Sequence, residues 1–323
     1  MRLKNDIISF RIIVLLLFPL LVLNAQAATV NKSSASPYTK SEIKELTRNL
    51  KHVISDKKAT VGVAVATDEY EILTLNRHAR FPLMSVFKFH IALAVLDKLD
   101  KNRTSLDSLI FIEKSKLQHD TYSPIIKEFP DQDLTISIGD LIRYCVSHSD
   151  NNACDFLIEY VGGISEVEDY IKGLGITNFN LSVTERMMHD DIKKQYMNWS
   201  KPNPVIDLMQ VFLTRPLLSE YYKKFLIQAM TDTSTGKNKL KSLLPPEVVV
   251  GHKTGSSNRT DKGIQIVEGD IAFIYLPDGK RYYISVFVKD SRENDETNVA
   301  IIARISKIVY DFLCKNGECI ITD

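Results

Sequence analysis

Cysteine is scarce in this 323-residue chain, and the four present, Cys145, Cys154, Cys314 and Cys319, have no metal-site spacing with a histidine. That argues against a thiolate-held metal centre, so no metal and no cofactor is expected. Four cysteines allow three pairings, and spacing does not choose among them. An excess of one charge is also missing: 41 Lys and Arg face 40 Asp and Glu. Without a basic surplus, no nucleic-acid partner is expected. No apolar run reaches the roughly 20 residues that cross a bilayer. The run Ile12 to Leu23 is too short, follows Arg2 and Lys4, and precedes the small residues Ala25-Gln26-Ala27. It reads as a secretory leader over residues 1–27, cleaved near Ala27. No Cys follows it to carry a lipid, so a monomer with no stable membrane anchor, periplasmic or secreted, is expected. Losing Arg2, Lys4, Arg11 and Asp6 with the leader removes a net +2 from the chain's +1 and leaves about −1.

What is present is three ordered strings: Ser85-Val86-Phe87-Lys88, Ser149-Asp150-Asn151 and Lys253-Thr254-Gly255. A Ser three residues before a Lys is weak by itself, since Ser41 and Lys44, Ser55 and Lys58, and Ser234 and Lys237 share that spacing. Only Ser85 stands where Phe81-Pro82-Leu83-Met84 runs into an apolar helical stretch, Phe87 to Leu99. The other two strings each occur once. Together they supply an acyl-transfer site. Ser85 at a helix start is a nucleophile near the positive helix end, and Lys88, one turn on and drawn out of water, is expected to lose its proton and accept one from Ser85. Ser149 would relay a proton to the leaving nitrogen. Asn151 would hold the Lys88 amine and a substrate amide, and Asp150 would cap the helix beginning near Asn152. Lys253 and Thr254 would meet a substrate carboxylate at a strand end, with Gly255 allowing close approach of substrate backbone. The N–H groups of Ser85 and Ser256 would form the oxyanion hole.

The pattern between these strings changes twice. Thr39 and Glu42 form a capping-box pair ahead of a helix to Ile54, and Thr60 to Ala66 and Glu71 to Asn76 read as a hairpin. Helices are predicted over Phe87 to Leu99, Ile138 to Ser147, Asn152 to Tyr160, Ser165 to Leu174, Pro204 to Leu213 and Glu220 to Met230. Leu181 to Pro202 is polar and aperiodic, and a loop of that length is usually functional. Strands return at Glu247 to Thr254, Gly269 to Leu276 and Arg281 to Lys289, before a helix from Glu296 to Cys314. The expected class is α/β, an antiparallel sheet flanked by terminal helices, with residues 28–83 and 232–323 forming one discontinuous domain. Residues 84–231 insert an all-helical domain that carries the Leu181 to Pro202 loop.

The three strings make the mature chain resemble a class A serine β-lactamase, in the cephalosporinase or extended-spectrum branch. That resemblance implies the β-lactamase/transpeptidase-like fold, a β-lactam as small-molecule substrate, and a role in antibiotic resistance. It assigns catalysis to Ser85, Lys88, Ser149 and Glu185, the last of which lies in Thr184-Glu185-Arg186-Met187-Met188-His189 and matches the deacylating base. It assigns substrate binding to Asn151, Lys253, Thr254, Ser256, Tyr122, Lys239 and His189. Two positions depart from the family. His189 stands where an Asn commonly helps hold the hydrolytic water, and Gly269 stands where many members carry a carboxylate-binding Arg. Lys239 is expected to take over that charge, as a poorer bidentate partner than Arg. The polar stretch Ser256 to Gly263 is expected to widen the cleft for bulky cephalosporins. Penicillin-binding proteins share all three strings, so the alternatives are a D,D-peptidase and a non-hydrolysing β-lactam sensor.

Overall fold

A computed structural model describes residues 36–316, so the expected leader and Cys319 lie outside the described residues. Helix α1 (Lys40–Ile54) begins at the capping box read from sequence: Thr39 Oγ1 accepts from Glu42 N, and the Glu42 carboxylate accepts the Thr39 N–H at 2.7 Å. Strands β1 (Thr60–Thr67) and β2 (Glu71–Leu75) form the expected hairpin, with a register shift at Val65/Ala66. A two-residue strand, β3 (Phe81–Pro82), leads into a 3-10 turn at Met84–Phe87 and then α2 (Lys88–Asn102). Helix α2 is buried almost all round from Lys88 to Leu96, the pattern of a core helix rather than a surface one.

Next come β4 (Leu109–Ile112), α3 (Pro124–Glu128), β5 (Leu134–Ser137), α4 (Ile138–Val146), α5 (Asn151–Val161) and α6 (Ile164–Gly173). Then follow β6 (Phe179–Asn180), α7 (Glu185–Asp190), β7 (Trp199–Ser200), α8 (Pro202–Thr214) and α9 (Glu220–Thr231). Residues 84–231 are therefore not all helix, since β4, β5, β6 and β7 lie among them. The β4–β5 hairpin and the three short strands were not foreseen, because two to four residues carry too little alternation to register as a period. The stretch read as an aperiodic loop also contains α7 and a 3-10 turn at Ile192–Tyr196. Cys145 on α4 and Cys154 on α5 are buried free thiols.

The chain closes with β8 (Val250–Ser256), β9 (Gln265–Tyr275), β10 (Arg281–Ser291) and α10 (Asp295–Asn316). All pairs in the five-stranded sheet β2-β1-β10-β9-β8 are antiparallel. Both faces are covered, as β10 shows by alternation. Tyr282, Ile284, Val286 and Val288 pack with Leu46 and Leu50 of α1 and Ile302 and Ile305 of α10, whereas Tyr283 and Phe287 join the core holding Phe89 and Phe212. Each large apolar side chain buried in this way contributes about 1.5–3 kcal/mol. The two cores meet across the sheet, and β8, an edge strand, packs against α9 and the Met84–Phe87 turn.

Candidate active site

Ser85 lies in the 3-10 turn ahead of α2, reached through Met84 in the left-handed region at φ 43°. Ser149, opposite, is also left-handed at φ 59°. Such backbone costs on the order of 1–3 kcal/mol and persists where the surroundings enforce it, commonly at functional sites. The spacing of three residues brings Lys88 beneath Ser85, fully buried. Its ammonium donates to Ser149 O at 2.7 Å, Asn151 Oδ1 at 2.6 Å and Glu185 Oε1 at 2.9 Å. Three acceptors match three N–H donors, an arrangement a neutral amine with two N–H groups cannot complete. Burial alone pushes the Lys88 pKa down, but the Glu185 carboxylate outweighs it, and the net direction is up. This corrects the expectation that withdrawal from water frees the amine. A charge pair at such a distance is worth about 6 kcal/mol at an effective dielectric near 20, comparable with the cost of desolvating the ion.

Glu185 is buried at the start of α7, and its Oε1 also accepts from Ser85 Oγ at 3.4 Å. What holds it there comes from residues distant in the chain. Asp155 on α5 accepts the Glu185 N–H at 2.8 Å and the Arg186 N–H at 2.9 Å, and Thr184 Oγ1 takes the Met187 N–H. Burial, opposed by the bond from Arg186 N, raises the Asp155 pKa to about 6. Asn198 ties down the preceding segment, accepting from Ser182 N and Val183 N and donating to Val183 O.

Asp150 caps α5 through Ala153 N, as expected, and also takes Ser123 Oγ and Ile125 N, each at 2.8 Å. That fixes the segment carrying Tyr122, whose backbone O accepts from Asn151 N and whose ring is 52% exposed at the cleft mouth. Asn151 Nδ2 donates to Thr121 Oγ1, so its amide is oriented with the oxygen toward Lys88. Ser149 Oγ accepts from Lys253 Nζ at 2.9 Å, and Lys253 also donates to Thr254 O. Lys253 is fully buried, and its pKa falls to about 7, first through burial and then through the nearby Lys88 charge.

Strand register aims the edge of β8. Gly255 pairs with Gly269 and Ser256 with Glu268, while Ser257 N bonds to Val267 O and Tyr275 N to Val249 O. Odd-numbered residues therefore carry the bonds to β9, and the N–H of Ser256 points off the free edge toward the Ser85 turn. A Cβ at Gly255 would lie 2.4 Å from Leu83 O, so the glycine admits the backbone next to Ser85, where sequence reasoning placed substrate. Thr254 Oγ1 lies 2.7 Å from Thr235 Oγ1 on the same rim.

Two expected ligands sit differently. Lys239 is buried behind Ser256, ion-paired with Glu268, and donates to Ser256 Oγ at 3.0 Å and Gly269 O at 3.4 Å. It thus reaches the backbone at Gly269, where a Cβ would strike Phe287, but its contact with the cleft runs through the Ser256 hydroxyl. His189 turns its Nε2 to Asp120 Oδ2 at 2.9 Å across the cleft mouth. Thr121, Asp155, Asn198, Thr235 and Glu268 were missed, since each acts through a partner distant in sequence. The cleft holds about 500 Å³, lined by Met84, Tyr122, Glu185, His189, Ser256 and Arg259 among others. Among the described residues no His, Cys, Asp or Glu cluster is arranged to hold a metal, and no helix is long and apolar enough to cross a membrane.

Comparison with known proteins agrees with this architecture. The model of the β-lactamase enzyme family matches residues 45–313. A β-lactamase of Bacteroides uniformis is 52% identical over 84% of this chain and 92% of its own. The extended-spectrum β-lactamase PER-1 of Pseudomonas aeruginosa is 38% identical over 88% and 90%. The crystal structure of a class A β-lactamase from Bacteroides cellulosilyticus superposes with a TM-score of 0.83 at 51% identity, covering 85% of this chain and 99% of that one. With sequence and architecture matched over nearly the same span, the chain belongs to the class A β-lactamases, hydrolases of the β-lactam amide bond.

Proposed function

We propose that the chain is an exported enzyme that opens β-lactams through an ester on Ser85 and frees that ester with water activated by Glu185. The observation that carries this reading is the double contact of Glu185 Oε1, with Ser85 Oγ at 3.4 Å and Lys88 Nζ at 2.9 Å. Ser85 Oγ attacks the lactam carbonyl carbon, and its proton passes to the Glu185 carboxylate. Lys88, with all three N–H groups engaged, holds that carboxylate beside Ser85. The N–H groups of Ser85 and Ser256 receive the oxyanion, each donor being worth about 3–4 kcal/mol in such sites. As the C–N bond breaks, Ser149 gives its hydroxyl proton to the departing nitrogen and takes one from Lys253, whose pKa of about 7 suits it to proton transfer.

Deacylation reverses the roles. Glu185 first yields the Ser85 proton to solvent while Lys253 regains one, so both are reset. Glu185 then removes a proton from water, the hydroxide attacks the ester carbonyl, and as the ester C–O bond breaks Glu185 returns that proton to Ser85 Oγ. The substrate carboxylate lies against Lys253 and Thr254, with Lys239 acting through Ser256, and Asn151 and Tyr122 line the acyl side chain. Penicillins and cephalosporins are the substrates proposed. The similarity to PER-1 supports an extended spectrum, and His189, locked to Asp120, borders the cleft rather than holding water.

Steady-state hydrolysis of a chromogenic cephalosporin tests the reading. Many turnovers per enzyme molecule are expected. One stoichiometric burst followed by arrest would transfer the chain to the D,D-peptidase or sensor alternatives.

A further inference from the structure

The buried pair of Lys239 and Glu268 is complete in a way the reaction above does not require. A buried ion pair persists where hydrogen bonds satisfy its remaining donors and acceptors. Here Glu268 Oε1 accepts the Ser256 hydroxyl at 2.7 Å, and Oε2 accepts Gln265 Nε2 at 2.7 Å. Gln265 Oε1 in turn accepts from Asn298 Nδ2 at 2.6 Å, and Asn298 Oδ1 accepts from Ser291 Oγ at 2.7 Å. Lys239, Glu268, Gln265, Asn298 and Ser291 are buried and Ser256 is exposed, so the chain of contacts runs from the cleft wall to the first turn of α10. Ser256 Oγ accepts from Lys239 and donates to Glu268, so its single proton is committed away from substrate.

We propose that Glu268 is a positioning residue of the carboxylate subsite: it cancels the Lys239 ammonium and holds the Ser256 hydroxyl, leaving Lys253 as the cation that the substrate carboxylate meets. This rests on the Ser85 reading above. The charged and titratable groups bearing on Lys253 are Lys88 of α2, Cys145 of α4, Lys239 of the 232–239 loop and Glu185 of α7. Both Lys88 and Lys239 push its pKa down. Lys88 is answered by Glu185, and Lys239 by Glu268. Without Glu268 the Lys239 charge acts on Lys253 uncompensated.

The test is the pH profile of kcat/KM with a chromogenic cephalosporin, measured for the parent enzyme, Glu268→Gln, Lys239→Met and the double variant. Glu268→Gln is expected to move the alkaline limb down by roughly half a pH unit or more and to raise KM more than it lowers kcat. Lys239→Met should move the limb up, and the double variant should return it toward the parent position. A Glu268→Gln limb superimposed on the parent overturns the inference, as does a double variant displaced as far as Glu268→Gln alone. Should Glu268→Gln fail to fold, a Lys239→Met limb that stays in place overturns it equally. If the parent enzyme itself does not turn over, the reading of Ser85 fails instead, and the two failures are thereby distinguished.

Discussion

Lys88 and Lys253 are both fully buried and both touch Ser149, one at its carbonyl oxygen and the other at its hydroxyl, yet their pKa values move in opposite directions. Lys88 has the Glu185 carboxylate at 2.9 Å and is held as a cation. Lys253 donates to two neutral oxygens, Ser149 Oγ and Thr254 O, and drops to about 7. Burial is common to both, so the partner decides the charge. One lysine is thereby held as a cation against the Glu185 carboxylate, and the other is left to titrate near neutral pH.

Removing Lys88 breaks this contrast most severely. Lys88→Met strands Glu185 in a buried position without its cation, which costs about 3–5 kcal/mol in comparable pairs. Turnover is expected to fall by about a thousandfold or more, with a lowered melting temperature, and retention within tenfold would dissolve the distinction between the two lysines.

The other side of the contrast is pH-dependent. A folded pKa near 7 means that Lys253 loses its proton as pH rises through 7, and a bound carboxylate favours the charged form. The expected kcat/KM, which reports the free enzyme, declines above about pH 7, whereas kcat holds to higher pH. Lys253→Arg, which keeps its charge, should lose that decline, and an unchanged profile would remove Lys253 from the carboxylate subsite.

A smaller effect is expected behind Glu185. Asp155→Ala frees two N–H groups at the start of α7 and should slow release of the acyl group by about tenfold while leaving the acylation burst intact. A pre-steady-state trace separates the two steps, and equal slowing of both would assign Asp155 to general stability.

The residues whose chemistry is local were legible in the sequence. Thr39 and Glu42 announced their helix, Asp150 its cap, and the strings around Ser85, Ser149 and Lys253 converge on one cleft. What escaped depends on chain closure. Asp155 meets Glu185 across 30 residues, and Glu268 meets Ser256 only because the β8–β9 register sets them opposite each other. The charge on Lys88 was misjudged for the same reason: its spacing from Ser85 is visible in the chain, but the carboxylate that answers it arrives from α7.

Intact-protein mass spectrometry of Glu185→Gln after exposure to a β-lactam bears most directly on the central claim. The account expects one covalent adduct per chain, located on Ser85 by peptide mapping and persisting long after the parent enzyme has cleared its own. An adduct lost at the parent rate, or one carried by a residue other than Ser85, would contradict it.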